Sequence, residues 1–415
     1  MSKPVLVIIG TGWGGFTLTQ KVSLEKYDVK VISPIRTIQY TPLLASAACG
    51  LFNFRLAEEP VRRKHRTDQD YYKAIAEDID FEKRIVRCKT DAPTANEDPT
   101  YFEVRYDKIC IAPGCETQDF GTPGAKEHAL FLKTTNDARL IQQRILQMLD
   151  KASLPTTSEH DQRDYLNIRI VGGGAIGIEA AAELWDLWFE DMRFLFPHLD
   201  GKLNITIHDV APKILSTFDA SLSEYATSSL EGKHVKLMTG SNIQRVEDDA
   251  IFTKEDGRLP YGLLIWATGN KVNPLVDSEE TRERATPYPH RQVPPGPAPG
   301  REPNGQRLRT GDAADIEGES LPTLAEVALQ KGEYLTVVLN SNGEPAPFNY
   351  KQRALLAYLG RRDGIIGGRK EWTGVSAWLA WRSGSLGWTR SWRRKIMISI
   401  SWIFIWIAGR DIARP

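Results

Sequence analysis

An α/β fold with two Rossmann-like dinucleotide-binding domains and a C-terminal helical, membrane-anchoring tail is what this 415-residue sequence predicts. Three observations predict it: a glycine-rich turn between an apolar strand and a helix near the start, a second such turn a domain's length later, and a C-terminus rich in tryptophan and arginine. One glycine turn is weak evidence, because such turns also serve as plain strand-to-helix connections. Two, each in the same local context, point to two bound dinucleotides, a flavin and a nicotinamide, placed so that a hydride passes between them.

The first turn is Gly10-Thr-Gly12-Trp-Gly14-Gly15, after the strand Val5-Leu-Val-Ile-Ile9. Its first glycine permits the tight turn, the second lets the backbone approach a pyrophosphate, and the third lets helix and strand pack closely. The helix start then offers free N–H groups and a positive dipole end to that phosphate. The next strand, Tyr27-Asp-Val-Lys-Val-Ile-Ser33, ends where a dinucleotide fold usually places an acid. Here Ser33 stands, followed by Pro34, and a hydroxyl hydrogen-bonds a ribose more weakly than a carboxylate does. Alternation of apolar residues between Asp78 and Arg105 predicts a small β-meander. The run Asp107-Lys-Ile-Cys-Ile-Ala112-Pro-Gly114 returns to the parallel sheet and ends small, so the backbone can pass beneath a cofactor; as a plain turn it would read the same.

The second nucleotide domain starts near Leu166. Its turn is Gly172-Gly173-Gly174-Ala-Ile-Gly177 after Ile168-Arg-Ile-Val171, and a helix rich in Ala and Glu follows from Ile176 to Phe189. The strand Leu203-Asn-Ile-Thr-Ile-His-Asp209 does end in an acid. Asp209 accepts hydrogen bonds from both ribose hydroxyls and repels a 2′-phosphate, which favours NADH over NADPH, although Lys213 softens the preference. The alternative is Asp209 as a turn residue. Gly262-Leu-Leu-Ile-Trp-Ala-Thr-Gly269 mirrors the strand that ends at Gly114.

Seven prolines in residues 286–305 make an irregular loop. Thr310-Gly311-Asp312-Ala-Ala314 follows. Two-dinucleotide flavoproteins end their last flavin-domain strand with a Gly-Asp whose carboxylate meets the ribityl chain, and Asp312 fits that role; alone, Gly-Asp is a commonplace turn. Apolar spacing predicts a helix from Thr323 to Leu339. The division is therefore a flavin domain over 1–150 and 306–345, a nicotinamide domain over 151–285, and a C-terminal region with a membrane anchor over 346–415.

A chain of this length exceeds one simple core. Its formal net charge of zero gives no case for a nucleic-acid partner. Charge is uneven, however: from Arg361 onward eleven Lys or Arg face three acids, so the tail is a basic module on an acidic body. Cys49, Cys88, Cys110 and Cys115 form no CxxC pair and no metal-ligand cluster with the histidines, so no metal is expected, dithiol chemistry is disfavoured and a reducing intracellular compartment is the expectation. Met1-Ser-Lys-Pro leads directly into the first strand, which predicts either no cleavable presequence or a start that lies upstream.

Seven of eleven tryptophans fall in the tail: Trp372, Trp378, Trp381, Trp388, Trp392, Trp402 and Trp406. Arg382, Arg390, Arg393, Arg394 and Lys395 lie among them, and an apolar run extends from Ile396 to Ala408. Tryptophan favours the membrane interface, and basic side chains favour anionic head groups. The run is shorter than the ~20 residues a spanning helix needs, so residues 372–415 are expected to lie in the interface. A tryptophan-rich core helix or a homodimer surface is the alternative.

The chain resembles the type II, alternative NADH:quinone oxidoreductases, especially their fungal branch. The resemblance covers nearly the whole chain. It rests on Gly10-Thr-Gly-Trp-Gly14, Ser33-Pro34 leading to Thr41-Pro42-Leu-Leu44, Phe120-Gly-Thr-Pro-Gly124, Gly172-Gly-Gly-Ala-Ile-Gly-Ile-Glu179, Trp266-Ala-Thr-Gly-Asn270 and Ala325-Glu-Val-Ala-Leu-Gln330. The tail adds Leu356-Ala-Tyr-Leu-Gly360, Trp378-Leu-Ala-Trp-Arg-Ser383 and Gly409-Arg-Asp411, which are specific to the family. The resemblance implies FAD on the first turn, with Ser33, Pro34, Thr41 and Pro42 beside it, and NADH on the second. It implies Glu179 near the nicotinamide side of the flavin, unless that residue is a structural cap, and a quinone site at Ala325, Glu326 and Gln330. It further implies peripheral attachment to the mitochondrial inner membrane, a cytosolic membrane face being the alternative. The flavin carries the chemistry in such enzymes, so no catalytic acid or base is expected.

Three departures stand out. Glu326 and Lys331 replace two glutamines of the family's quinone-site helix. Ile35 stands where the family has an arginine after Ser-Pro. The apolar strand expected before Gly311 is absent from Gln306-Arg-Leu-Arg-Thr310, which is too polar for a buried parallel strand; a mis-spliced gene or a decayed flavin site accounts for that. The alternatives to a quinone reductase are accordingly an NADH-dependent reductase of a specialised quinone or aromatic metabolite, and a nucleotide-binding pseudoenzyme.

Overall fold

A computed structural model of the chain describes residues 2–63, 66, 68–90, 98–277, 307–309, 321–341, 347–352, 354–368, 371–388, 396–401 and 410. It divides into two compact units, one of residues 1–38, 59–116 and 270–351, the other of residues 39–58, 117–269 and 352–415.

The first unit is built on a seven-stranded sheet. From one edge the strands are Arg307–Arg309, Lys108–Ile111, Val5–Ile9, Asp28–Ser33, Gln69–Asp80, Ile85–Thr90 and Tyr101–Arg105. The first five run parallel, and the last two add on antiparallel as the expected meander. One long strand joins the two regimes: Gln69–Asp80 pairs with Asp28–Ser33 through its first half and with Ile85–Thr90 through its second. Leu6, Val7 and Ile8 are fully buried, as befits a parallel strand covered on both faces.

Arg307–Arg309 corrects the expectation that the strand before Gly311 is missing. It pairs in parallel register with Lys108–Ile111, Leu308 opposite Cys110. The polarity of the segment fits its place as the outermost strand among the described residues, since polar residues are tolerated at a sheet edge.

In the second unit five parallel strands stand in the order Leu130–Phe131, Leu263–Trp266, Asn167–Val171, Asn204–Asp209 and Lys236–Thr239. The next two strands after the glycine turn, Asn204–Asp209 and Lys236–Thr239, lie in sequence on one side of Asn167–Val171, and the later strand Leu263–Trp266 lies on its other side; in the first unit Asp28–Ser33, Gln69–Asp80 and Lys108–Ile111 stand in the same relation to Val5–Ile9. Each glycine turn therefore leaves its sheet where the strand order reverses, the place at which open α/β sheets bind ligands. The helix after the second turn runs Ala175–Leu187, then widens into a π-turn at Trp188–Met192.

Region 346–415 opens on strands, with helix only further along. Its first part is a three-stranded antiparallel sheet, Ala354–Gly360, Asp363–Gly368 and Trp372–Thr373, and a helix, Gly374–Trp388, follows. Arg361 and Arg362 form the hairpin turn with φ of 52° and 62°, the doubly left-handed geometry of a two-residue type I′ turn. No described helix is long and apolar enough to cross a membrane.

Within the first unit the helix Ala325–Asn340 lies on the helix Trp13–Lys21 through glycine. A β-carbon at Gly332 would fall 2.7 Å from the Gly14 carbonyl oxygen and 3.1 Å from Thr17 Cβ. Gly332→Ala is expected to cost about 1–3 kcal/mol by overpacking, read as a lowered midpoint of thermal or urea unfolding. An unchanged midpoint would mean the two helices are not in this contact.

Candidate functional site

The first turn is shaped by backbone contacts. Gly10 has φ +89°, and a β-carbon there would sit 2.0 Å from the Ala112 carbonyl oxygen. A β-carbon on Gly15 would fall 2.0 Å from the Gly10 oxygen. At Gly12 nothing lies within 4 Å of the equivalent position, nor at Gly114. Outer glycines are thus demanded by packing, and the middle one faces open space at the start of a helix. Gly14 is buried against Gly332. The Ser33 hydroxyl is buried and shares a 2.8 Å hydrogen bond with Thr11 Oγ1, and Thr11 also donates to the Ile35 carbonyl at 3.2 Å. No local pattern marks Thr11, since its partner Ser33 lies 22 positions away and meets it only in the fold. Pro34 is exposed just beyond. Thr41 and Pro42 belong to the second unit, in the 3-10 turn Thr41–Leu43.

The second turn repeats the geometry. Gly172 has φ +114° with its β-position 2.5 Å from the Ala267 oxygen; that of Gly177 is 2.0 Å from the Gly172 oxygen; Gly174 and Gly269 face nothing within 4 Å. Asp209 binds the turn directly: Oδ2 accepts the Gly173 N–H at 2.5 Å and Oδ1 the Ala211 N–H at 2.7 Å. Behind it, Arg169 lies 3.1 Å from His208 Nε2, and His208 Nδ1 lies 3.0 Å from Ser241 Oγ. Arginine only donates, so Nε2 accepts and Nδ1–H donates. Burial, reinforced by Arg169, pushes the His208 pKa down to about 4 and keeps the ring neutral.

Glu179 lies one turn into the helix that follows. Its Oε1 accepts the Trp381 indole N–H at 2.9 Å and the Tyr358 backbone N–H at 3.4 Å. Burial raises its pKa to about 8 despite those donors. Further along, Glu183 accepts the Ser46 hydroxyl at 2.6 Å, and Asp186 accepts the Tyr358 hydroxyl and, at 2.8 Å, the Arg361 N–H. Burial, then the charge of Glu183, raises Asp186 to about 7. Spacing of three and four residues along a helix would have shown these acids to share a face; nothing in the sequence showed that the face is buried.

On the helix Ala325–Asn340, Gln330 uses both ends of its amide. It donates to Glu326 Oε1 at 2.7 Å and to the Lys351 carbonyl at 2.9 Å, while its oxygen accepts the Lys351 N–H at 3.1 Å. Ala325 opens the helix, and Lys331 is buried. Gly311 and Asp312, the proline-rich 286–305 segment, Trp392, Trp402, Trp406 and residues 389–395 lie outside the described residues. All four cysteines are free thiols, and no described group of His, Cys, Asp or Glu could hold a metal ion.

Residues 4–284 match the pyridine nucleotide-disulphide oxidoreductase family. A probable NADH dehydrogenase of Dictyostelium discoideum is 34% identical, the match covering 98% of this chain and 90% of that protein. An internal alternative NAD(P)H-ubiquinone oxidoreductase A1, mitochondrial, of Solanum tuberosum is 32% identical over 99% and 88%. The structure of NDH2 from Plasmodium falciparum in complex with NADH superposes with a TM-score of 0.88 over 100% of both chains at 21% identity, a likeness of fold.

Because the Glu179 carboxyl has a folded pKa of about 8 against an ordinary 4.5, the folded chain holds more protons than the unfolded one between those values. Stability therefore falls as pH rises through that window. Glu179→Gln keeps an acceptor for Trp381 and Tyr358 and removes the titration. Its melting temperature is expected to decline less than that of the unaltered protein between about pH 5 and pH 8. Parallel profiles would show Glu179 ionised throughout.

Proposed function

We propose, for a chain that belongs to the pyridine nucleotide-disulphide oxidoreductases and within them to the alternative, type II NADH:quinone oxidoreductases, that it oxidises NADH through FAD and passes two electrons to ubiquinone or a related quinone without pumping protons. The observation that carries this reading is the matched pair of turns, each with packed outer glycines and an open middle glycine at a helix start. A β-carbon at Gly12 or Gly174 would occupy the space a pyrophosphate needs, so the residues present fit two dinucleotides. Bound FAD supplies the two-electron chemistry, accepting hydride and yielding electrons to quinone.

The chain's own residues bind and orient. Gly10, Gly12, Gly14 and Gly15 form the FAD turn, with Ser33 at the ribose and Pro34, Ala112 and Gly114 beside it; Thr41, Pro42, Gly311 and Asp312 are the further FAD residues that the resemblance names. Gly172, Gly174, Gly177 and Gly269 form the NADH turn. Asp209 uses one lone pair of each oxygen on the turn, and a carboxylate has about four acceptor sites, so two remain for ribose hydroxyls while a 2′-phosphate is repelled. The hydrogen bonds of Glu179 to Trp381 and Tyr358 support its structural reading. Ala325, Glu326 and Gln330 form the quinone-site helix, Gln330 by holding residue 351. The strand at Arg307–Arg309 removes the chief support for a pseudoenzyme. Lys331, buried where the family has glutamine, favours as second reading a quinone other than ubiquinone.

The mitochondrial names of the relatives support a mitochondrial enzyme. Exposed Trp372, Val375, Leu379, Ile396, Met397 and Ile400 support a tail that lies on the inner membrane without spanning it.

Protein purified in detergent is expected to be yellow, with stoichiometric FAD, and to oxidise NADH faster when a short-chain quinone is added. Colourless protein that takes up no FAD would overturn the reading. Asp209→Ala is expected to narrow the preference for NADH over NADPH by on the order of 1.5–3 kcal/mol, the worth of a charged hydrogen bond; equal use of both by the unaltered protein would refute the role.

Deletion of residues 372–415 is expected to release the protein from anionic liposomes, whereas high salt weakens the intact protein's binding only in part, because screening leaves the apolar share untouched. Intact protein that stays in solution beside anionic liposomes at low salt would remove the anchor.

A further inference from the structure

Arg410 packs its side chain against the helix that follows the second turn. The Arg410 side chain is 2% exposed, and its guanidinium lies 3.2 Å from Glu183, 3.2 Å from Glu190, 3.6 Å from Asp191 and 3.9 Å from Asp186. Its backbone N–H donates to Asp191 Oδ1 at 3.1 Å, and the guanidinium reaches the Cys49 carbonyl at 3.4 Å. The four acids stand on successive turns of one continuous helical stretch, Ala175–Leu187 running into Trp188–Met192. Glu183 and Asp186 are 2% and 3% exposed. Two carboxylates so close and so dry cannot both remain charged without a cation between them. Arg382 adds a second positive charge nearby, and Lys233 a more distant one toward Asp186. The buried Cys49 thiol stays neutral, and the Tyr358 hydroxyl keeps its proton and donates a hydrogen bond to Asp186.

The same helix begins at Gly174 and carries Glu179, which holds Trp381 and Tyr358. Its N-terminal end makes the nucleotide turn, and its C-terminal end takes the arginine. We propose that Arg410 is a positioning residue for the nicotinamide half-reaction: by neutralising Glu183 and Asp186 it steadies the 175–192 helix and so fixes the turn that receives NADH. This rests on the assignment of the second turn to NADH. Glu183 also bonds Ser46, on the short helix that follows Thr41–Leu43. A methionine would fill the guanidinium's place with apolar atoms and leave the acids to repel one another, shifting the helix they share.

The test uses the full-length, FAD-loaded protein in detergent, with flavin reduction by NADH followed in stopped flow without acceptor. Arg410→Met is expected to slow flavin reduction about tenfold or more, within the ~100-fold that a misplacement of ~1 Å costs. The defect is expected to shrink as pH falls from about 8 to about 6, because Asp186, which burial and the charge of Glu183 already raise to about 7, then takes up a proton and no longer needs the arginine. Arg410→Met combined with Glu183→Gln is expected to recover most of the rate at the higher pH. Should Arg410→Met fail to fold, Arg410→Lys carries the test: it keeps the charge but loses the fork that reaches four carboxylates, so a smaller slowing without recovery at low pH is expected. A folded variant with unaltered reduction at every pH, or one whose melting temperature falls while its rates below that temperature do not, overturns the proposal. Unaltered protein whose flavin NADH does not reduce would instead overturn the functional reading beneath it.

Discussion

Both nucleotide turns depend on backbone touching backbone where no side chain fits. In the first, Gly15 lies against the Gly10 carbonyl, and Gly10 lies against the carbonyl of Ala112 on the neighbouring strand. In the second, Gly177, Gly172 and Ala267 repeat the relation. These contacts bring a helix start down onto the end of a central strand, which leaves the middle glycine facing open space with helix N–H groups behind it. Sheet order, apolar strands and the helices that follow all serve to place that start. A methyl group at any of the four outer positions would force the helix off the strand and close the space.

A second constraint governs the end of the chain. The helix that leaves the second turn buries Glu179, Glu183 and Asp186, and burying carboxylates costs far more than burying leucines unless each finds donors or a cation. Apart from Ser46, which donates to Glu183, those partners come from the last fifth of the chain: Trp381 and Tyr358 for Glu179, the Tyr358 hydroxyl and the Arg361 N–H for Asp186, Arg410 for Glu183. The C-terminal hairpin and helix are thus part of the nucleotide-binding unit's electrostatics. Tyr358 and Trp381 also stack, with ring centroids 5.0 Å apart, over Ala182 of the same helix. Any attachment of the tail to a membrane therefore acts on an element already bonded to the helix that makes the turn.

The two glycine turns, their strands, the meander and the helix from Ala325 were legible in sequence because each is a local pattern: an apolar run, a required positive φ, a period of two or of 3.6. The outer strand Arg307–Arg309 was not legible. A polar three-residue segment becomes a strand only when a neighbour offers an open edge, here Lys108–Ile111. The hairpin at Arg361 and Arg362 was equally hidden, since its left-handed turn lacks the Asn-Gly or Gly that normally marks one; Asp186 accepting the Arg361 N–H helps to hold it.

By itself, the sequence determined where the chain must bend sharply, which strands are buried and which acid ends the second nucleotide strand, because backbone sterics and hydrophobic periodicity act over a few residues. Only the tertiary structure decided what the acids do. Asp209 binds the backbone of the turn it follows, Gln330 clamps Lys351, and the acidic face of the 175–187 helix is interior. Those outcomes depend on residues 21 to 227 positions away brought within hydrogen-bonding distance, and a charge's meaning is set by whether water or a cation reaches it, which no local pattern encodes.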